Sequence, residues 1–124
     1  MFDRSQSPSL TILLSASRTT TQTSADIPTG SWQGLHAILD MTVVGTGSVT
    51  LTINGKDPLS GKYYLLLAGA AVVGNGTNVY KIFPSATPAA NAAANDTLPA
   101  IIQLVATANN ANAAVYSVGV NFLP

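Results

Sequence analysis

The chain has 124 residues, the length of one domain, and its five Lys and Arg residues balance five Asp residues to a net charge of zero. Only 8% of the residues are charged, and without a basic excess the chain lacks the electrostatic footprint of proteins that bind nucleic acid or anionic membranes. It has no Cys, no Glu and one His, which excludes thiol chemistry and the usual zinc sites. We therefore expect no enzyme, no cofactor and no metal site.

The first residues, Met1–Ser9, show no periodicity and are predicted to form an arm outside a single domain that spans residues 10–124. A frayed terminus is the ordinary interpretation of such a segment. The alternative is an arm that docks on a neighbouring subunit, with Phe2 as its apolar anchor and Arg4 as a charged contact. Pro8 would stiffen the point where the arm leaves the domain.

Apolar and polar residues alternate with a period of two over most of the remaining chain, which is typical of half-buried β-strands. Gly, Pro and Asn separate the alternating segments, so the sequence predicts an all-β fold, a single antiparallel β-sandwich or jelly roll of about eight strands. The strand candidates are Leu10–Ser17, Thr19–Thr23, Gly34–Val44, Ser48–Asn54, Lys62–Leu67, Thr77–Phe83, Ala100–Ala106 and Ala113–Leu123.

The alternation also predicts which residues face the core. The short link Gly45-Thr46-Gly47 favours a hairpin between the third and fourth candidates. In the third candidate the inward set is Leu35, Ala37, Leu39, Met41 and Val43. In the last candidate one face carries Tyr116, Val118, Val120 and Phe122.

At most one short helix, no longer than two turns, is predicted, and its candidate position is near Thr87–Asn95. Thr87 is a capping residue, Pro88 suits the first helical position and the alanines that follow have high helix propensity. The surrounding segment Ser85–Pro99 is rich in Ala and Asn, and its small side chains suit the close approach of another backbone. A plain surface crossover is the alternative.

The most specific local signal is a turn. Asp57-Pro58 begins it, because Asp bonds the backbone ahead and Pro presets φ, and Gly61 supplies the left-handed residue that closes it. Tyr63 and Tyr64 follow, and consecutive strand residues place their rings on opposite faces of the sheet.

Catalytic groups do not come together in the sequence. His36 and Asp40 lie on the same face of one predicted strand, about 13 Å apart, which is too far for a catalytic pair. The longest apolar run, Tyr63 to Val73, falls well short of the roughly 20 residues that span a membrane. We expect no membrane segment.

Three stretches resemble a group of small virion structural proteins of tailed bacteriophages. They are GKDPLSGKYYLLLAGAAV from Gly55, GTNVYKIFPSATPAANAAANDTLP from Gly76 and VYSVGVNFLP at the end. The resemblance covers the chain from about Gly34 onward and departs from the group at Ala100–Gln103. It implies a capsid decoration (cement) protein located in the virion, commonly a homotrimer, with the major capsid protein as partner; a neck or tail position is the alternative.

Composition supports assembly independently, because no charged residue follows Asp96 although two strands are predicted there. Edge strands of monomers are normally guarded by charge, so uncharged strands are covered either within the domain or by another chain. We predict a homo-oligomer. The candidate assembly contacts are Phe2, Arg4, Tyr64, Asn121 and Phe122.

A carbohydrate-binding adhesion module is the alternative from another functional class. Sugar sites use exposed aromatic rings with polar groups beside them. The candidate rings are Trp32, Tyr63, Tyr64 and Tyr80, and the candidate polar groups are Asn78 and Asp57.

Overall fold

The structure, a computed structural model, describes residues 8–124. The described residues form ten strands and no helix. The strands are β1 (Ser9–Arg18), β2 (Gln22–Thr23), β3 (Ile27–Pro28), β4 (Gly34–Val43), β5 (Val49–Lys56), β6 (Tyr63–Ala68), β7 (Gly76–Phe83), β8 (Ala93–Asn95), β9 (Ile101–Ala108) and β10 (Ala114–Leu123).

The strands form two facing sheets with nested pairing. The first sheet has the order β1-β10-β4-β7-β8, and the second has the order β2-β9-β5-β6 with β3 also on β9. The first strand thus pairs with the last, β2 and β3 pair with β9, β4 with β7, and β5 with β6, which is the pairing of a jelly roll. The predicted all-β sandwich is confirmed, and β7–β8 is its one parallel pair.

The core lies between the sheets and is built by the predicted alternation. The inward set of β10 is buried throughout, and β4 and β5 bury every second side chain over most of their length. Among residues 8–124 the one buried polar side chain is Thr29, whose hydroxyl donates to the carbonyl of Pro99 at 2.6 Å. The largest fully buried residues include Tyr116, Leu35, Leu39, Met41, Leu51 and Ile53.

The predicted inward position of Val43 is wrong, because the register shifts just before it. Tyr116 of β10 lies opposite Met41, yet the preceding Val115 lies opposite Val43, so Thr42 is an extra residue. Such a bulge reverses the facing of the residues beyond it. Val43 is therefore 55% exposed, and Val44 is buried in its place.

The predicted hairpin at residues 45–47 is also wrong. β4 belongs to the first sheet and β5 to the second, so the link crosses from one sheet to the other. The chain reverses through a tight turn in which Gly47 N–H donates to Val44 O at 2.7 Å and Gly45 has φ +54°. The alternation shows only that one face of each strand is buried. The buried faces of β4 and β5 pack against the same core from opposite sheets, so the alternation fits a link between sheets as well as a hairpin.

The predicted helix near Thr87–Asn95 is absent. The chain instead makes one tight turn, in which Ala92 and Ala93 N–H donate to Ala89 O and Asn91 has φ +62°. It then forms β8 beside β7. A helix this short gains too few hydrogen bonds to offset its nucleation, whereas pairing with an existing strand satisfies the same backbone groups.

The predicted turn after β5 is confirmed. Gly61 has φ +73° and donates its N–H to Asp57 O at 2.8 Å. The Asp57 carboxylate accepts from Leu59 N–H at 3.1 Å and from the Ser60 hydroxyl at 2.7 Å, and these bonds hold the pKa of Asp57 below its usual value. The turn joins β5 to β6 and so fixes the outer strand of the second sheet.

Candidate interaction surface

One side of the sandwich is almost free of charge. From Tyr63 to Asn95 the sequence contains a single charged residue, Lys81. This stretch supplies β6 and β8, which are the outermost strands of the two sheets on the same side of the molecule. We call the surface formed by β6 and residues 88–95 the β6–β8 edge.

The outer strand β6 exposes apolar side chains along this edge. Leu65 is 59% exposed, Tyr63 and Tyr64 are more than two-fifths exposed, and Leu67 alone among the leucines of this strand is buried. One side of β6 pairs with β5, and no strand of the described residues pairs with its other side. An uncharged edge with free backbone groups is a template for pairing with another chain.

A shallow groove runs beside β6. It lies between the residues of β6 and the turn that precedes β8, and the side chains of that turn are small. The groove is lined by Leu65, Leu66, Leu67, Ala68, Pro88, Ala89, Ala90, Asn91 and Ala93. Another chain can therefore approach β6 without meeting a bulky or charged group on the opposite wall.

The opposite edge of the first sheet, β1, is guarded. Its pairing with β10 is interrupted by two register shifts, and Arg18 folds back along the strand. The guanidinium donates to the carbonyls of Leu14, Ala16 and Tyr116, the last at 2.6 Å, and its carbon lies 4.8 Å from the centre of the Tyr116 ring. One guanidinium nitrogen bonds both Ala16 O of β1 and Tyr116 O of β10, so Arg18 bridges the two paired strands at the bulge. The bulges hinder the pairing of β1 with a further strand.

The opposite edge of the second sheet is short and carries charge. β2 and β3 have two residues each, and the loop between them holds Asp26. The Asp26 carboxylate accepts from Lys56 Nζ at 2.6 Å and from the Tyr63 hydroxyl. The hydrogen bonds from Lys56 and Tyr63 lower the pKa of Asp26, and the bond to Asp26 raises the pKa of Lys56 and of Tyr63.

The predicted assembly contacts fall in different places. Tyr64 lies at the β6–β8 edge, where its ring packs over Gly55 and close to Pro99. Asn121 is exposed on the outer face of the first sheet, opposite His36.

Phe122 is 2% exposed, so its assignment as a contact is wrong. The alternation that buries Tyr116 also turns Phe122 into the core. Phe2 and Arg4 lie outside the described residues, and β1 already includes Ser9.

The uncharged C-terminal strands are not edges. β9 lies between β5 and the β2–β3 pair, and β10 lies between β1 and β4. They are covered within the domain, which was one of the two possibilities left by their composition. The unguarded edge is β6 instead, and its signal in the sequence is the uncharged stretch from Tyr63 onward.

The two polar residues of β4 serve separate roles. Partial burial, with the nearby positive charge of Lys81, lowers the pKa of His36. Asp40 accepts a hydrogen bond from the Thr77 hydroxyl at 3.1 Å, and no hydrogen bond joins it to His36. Within residues 8–124 no group of three or more potential metal-binding side chains occurs, and no helix long and apolar enough to cross a membrane is found.

The candidate sugar-binding residues do not form one platform. Tyr80 is only 5% exposed, and Asp57 is engaged in its own turn. Trp32 is partly buried in a separate groove near the start of β1, and the other groove residues are mainly apolar. They are Pro8, Leu10, Pro28, Thr29, Gly30 and Phe122.

No protein-family model matches the chain, and a search of curated proteins gives no significant match.

Proposed function

We propose that this chain is a non-enzymatic structural protein of a tailed-bacteriophage virion, a capsid decoration protein that binds copies of itself and the major capsid protein. The observation that carries the proposal is the β6–β8 edge, an uncharged and unguarded edge on a rigid jelly roll. The resemblance of Gly55–Val72, Gly76–Pro99 and the C-terminal strand to virion structural proteins supports the same assignment. A fold alone does not define a function, so the edge and the resemblance are both needed.

The mechanism is mechanical and needs no cofactor. Apolar surface buried between subunits contributes about 25 cal/mol per Å², and a standard specific contact buries roughly 800 Å² on each partner. A decoration protein repeats such contacts over a lattice, where each bound subunit raises the effective concentration of the next contact. Each contact of this kind is modest, but many such contacts over the lattice together hold neighbouring capsid subunits in place.

The proposal is tested in virions of the phage that encodes this chain. Quantitative mass spectrometry should find the chain in a copy number comparable to that of the major capsid protein, and particles that lack it should lose DNA at a lower temperature. A few copies per particle would favour the neck or tail alternative. Absence of the chain from purified virions would refute a structural role.

Carbohydrate binding has weaker support in the structure. The groove beside Trp32 offers an aromatic ring but few polar partners, whereas sugar hydroxyls need hydrogen-bonding groups. A glycan array with the purified chain tests this alternative. Binding that is lost in Trp32→Ala or Tyr64→Ala would support it over the structural assignment.

A further inference from the structure

The four edges of the two sheets differ in their capacity to accept another strand. β1 is interrupted by two register shifts, and β2 and β3 are two-residue strands flanking Asp26. β8 has three residues and is followed by Asp96. β6 has six residues, no charge and a free side, so it is the one long, unguarded edge among the described residues.

The chemistry of this edge suits contact with an identical surface. A two-fold contact places the same patch of both copies face to face. A charge near the two-fold axis is therefore repelled by the identical charge on the other copy. Neither β6 nor residues 88–95 carry a charge, although Lys62 directly precedes β6 and Asp96 directly follows residue 95. The ion pair that reaches the surface, Asp26–Lys56 beside Tyr63, lies at the first residue of β6 and is neutralised within the chain. The surface therefore has no unpaired charge with which a partner of opposite charge would be selected.

The shape of the surface around β6 also favours pairing with a second copy. Strands pair at a spacing of about 4.8 Å, so everything beside β6 must allow another backbone that close. The neighbouring turn offers Pro88, Ala89 and Ala90, which leave room for the same turn of a second copy. The exposed Leu65 and the half-exposed Tyr64 then become covered.

We propose that two copies of this chain pair through β6, antiparallel and related by a two-fold axis, so that their second sheets join into one continuous sheet. The proposal rests on the assembly of copies proposed above and specifies the surface for it. β6 contributes six residues, whereas a standard interface uses roughly 20–30 residues a side, so the isolated contact is weak and depends on repetition. A two-fold contact is distinct from the three-fold contact that the resemblance implies, and it would link one trimer to another.

Disulfide trapping tests the pairing directly, because the chain has no Cys of its own. Single Cys substitutions are made at the five exposed or partly exposed β6 positions, Tyr63, Tyr64, Leu65, Leu66 and Ala68. A disulfide needs Cα atoms about 4.4–6.8 Å apart, and each step away from a two-fold axis separates the two copies of a residue by a further 7 Å or so. We expect one position, or two neighbouring ones, to form covalent dimers under mild oxidation.

Two exposed leucines outside the edge provide matched controls. Leu59 in the turn is 95% exposed and Leu14 on β1 is 74% exposed, so random collision would trap Leu59→Cys and Leu14→Cys at least as readily. Leu65→Lys should raise the dissociation constant of the dimer at least tenfold, and Leu59→Lys should leave it unchanged.

Four other outcomes would overturn the proposed pairing through β6. None of them decides the virion role, which is tested separately on particles. Equal trapping at β6 and at the controls would mean non-specific collision. An assembled wild-type chain with no trapping at β6 would place the contact elsewhere, and trapping at every β6 position would indicate slipping strands. A wild-type monomer at all concentrations would exclude the pair, whereas the particle experiment decides the virion role separately.

Discussion

At the scale of single residues, Gly34 is where the sequence permits a close approach of backbones. A Cβ at this position would lie 2.6 Å from Phe83 Cβ and 2.7 Å from the carbonyl oxygen of Ile82, and a strand carbonyl cannot move aside cheaply. We therefore expect Gly34→Ala to lower the free energy of unfolding by about 1–3 kcal/mol, measured by urea denaturation.

Gly74 provides the matched control, since nothing lies within 4 Å of a Cβ built there. Gly74→Ala should be neutral or slightly stabilising, because Ala restricts the unfolded chain. Equal effects of the two substitutions would contradict the packing argument.

The Asp26–Lys56–Tyr63 cluster predicts a specific pH dependence. The pKa of Asp26 is lowered from its usual value of 3.8 by the hydrogen bonds from Lys56 and Tyr63. Its contribution to stability is therefore present above that value and is lost as the pH falls through the lowered pKa. Asp26→Asn should be less stable than the wild type at pH 6, and the difference should shrink well below pH 3.8.

Salt provides an internal check on this prediction. The cluster lies at the surface, so 1 M NaCl should reduce the difference between Asp26→Asn and the wild type at pH 6. Urea titrations at both salt concentrations measure it. A difference that persists unchanged into strong acid would mean that Asp26 acts through its shape and neutral hydrogen bonds.

At the scale of elements, Arg18 holds the bulge where β1 pairs with β10. Its guanidinium occupies the carbonyls of Leu14 and Ala16 and stacks on Tyr116. Arg18→Gln should cost about 1 kcal/mol of unfolding free energy, the value of a typical hydrogen bond, and should speed aggregation followed by light scattering.

Lys62→Gln removes the same charge from the exposed end of the turn before β6 and serves as the control. It should leave stability nearly unchanged. If both variants aggregate at the same rate, net charge rather than the bulge that Arg18 holds explains the effect of its substitution.

The elements themselves could be predicted from the sequence where burial follows a period of two. The inward sets of β5 and β10, the Asp57–Gly61 turn and the all-β class all follow from local chemistry. The facing of Val43 could not be predicted, because one bulged residue reverses the pattern without changing the composition.

Which strands pair with one another could be determined only from the structure. The same alternation fits a hairpin or a crossover between sheets, and only tertiary pairing decides which one joins β4 to β5. Helix propensity in Ala89–Ala94 was overridden by the free side of β7, which accepts β8. The unguarded edge is a property of strand order, so no local pattern could identify β6 as an outer strand or β9 and β10 as inner ones.

At the scale of the whole molecule, the segment before Pro8 is predicted to contribute to assembly without contributing to the fold. In the part of the chain that the structure describes, the first strand starts at Ser9 and the core residues all follow it. Deletion of residues 1–7 should therefore leave the unfolding free energy within about 0.5 kcal/mol of the full chain.

The same deletion should weaken attachment to sister subunits or to particles, because Phe2 and Arg4 are proposed contacts. Co-sedimentation with particles that lack the chain measures this effect. Wild-type attachment by the shortened chain would identify the segment as a frayed terminus.

The central claim is that this chain is built to assemble through an uncharged edge, and its mass in solution tests that claim most directly. Sedimentation velocity at tens of micromolar should give a multiple of the 12.7 kDa chain mass, and Leu65→Lys should shift the distribution toward smaller assemblies. The account is contradicted if the wild-type chain sediments as a 12.7 kDa monomer across that range.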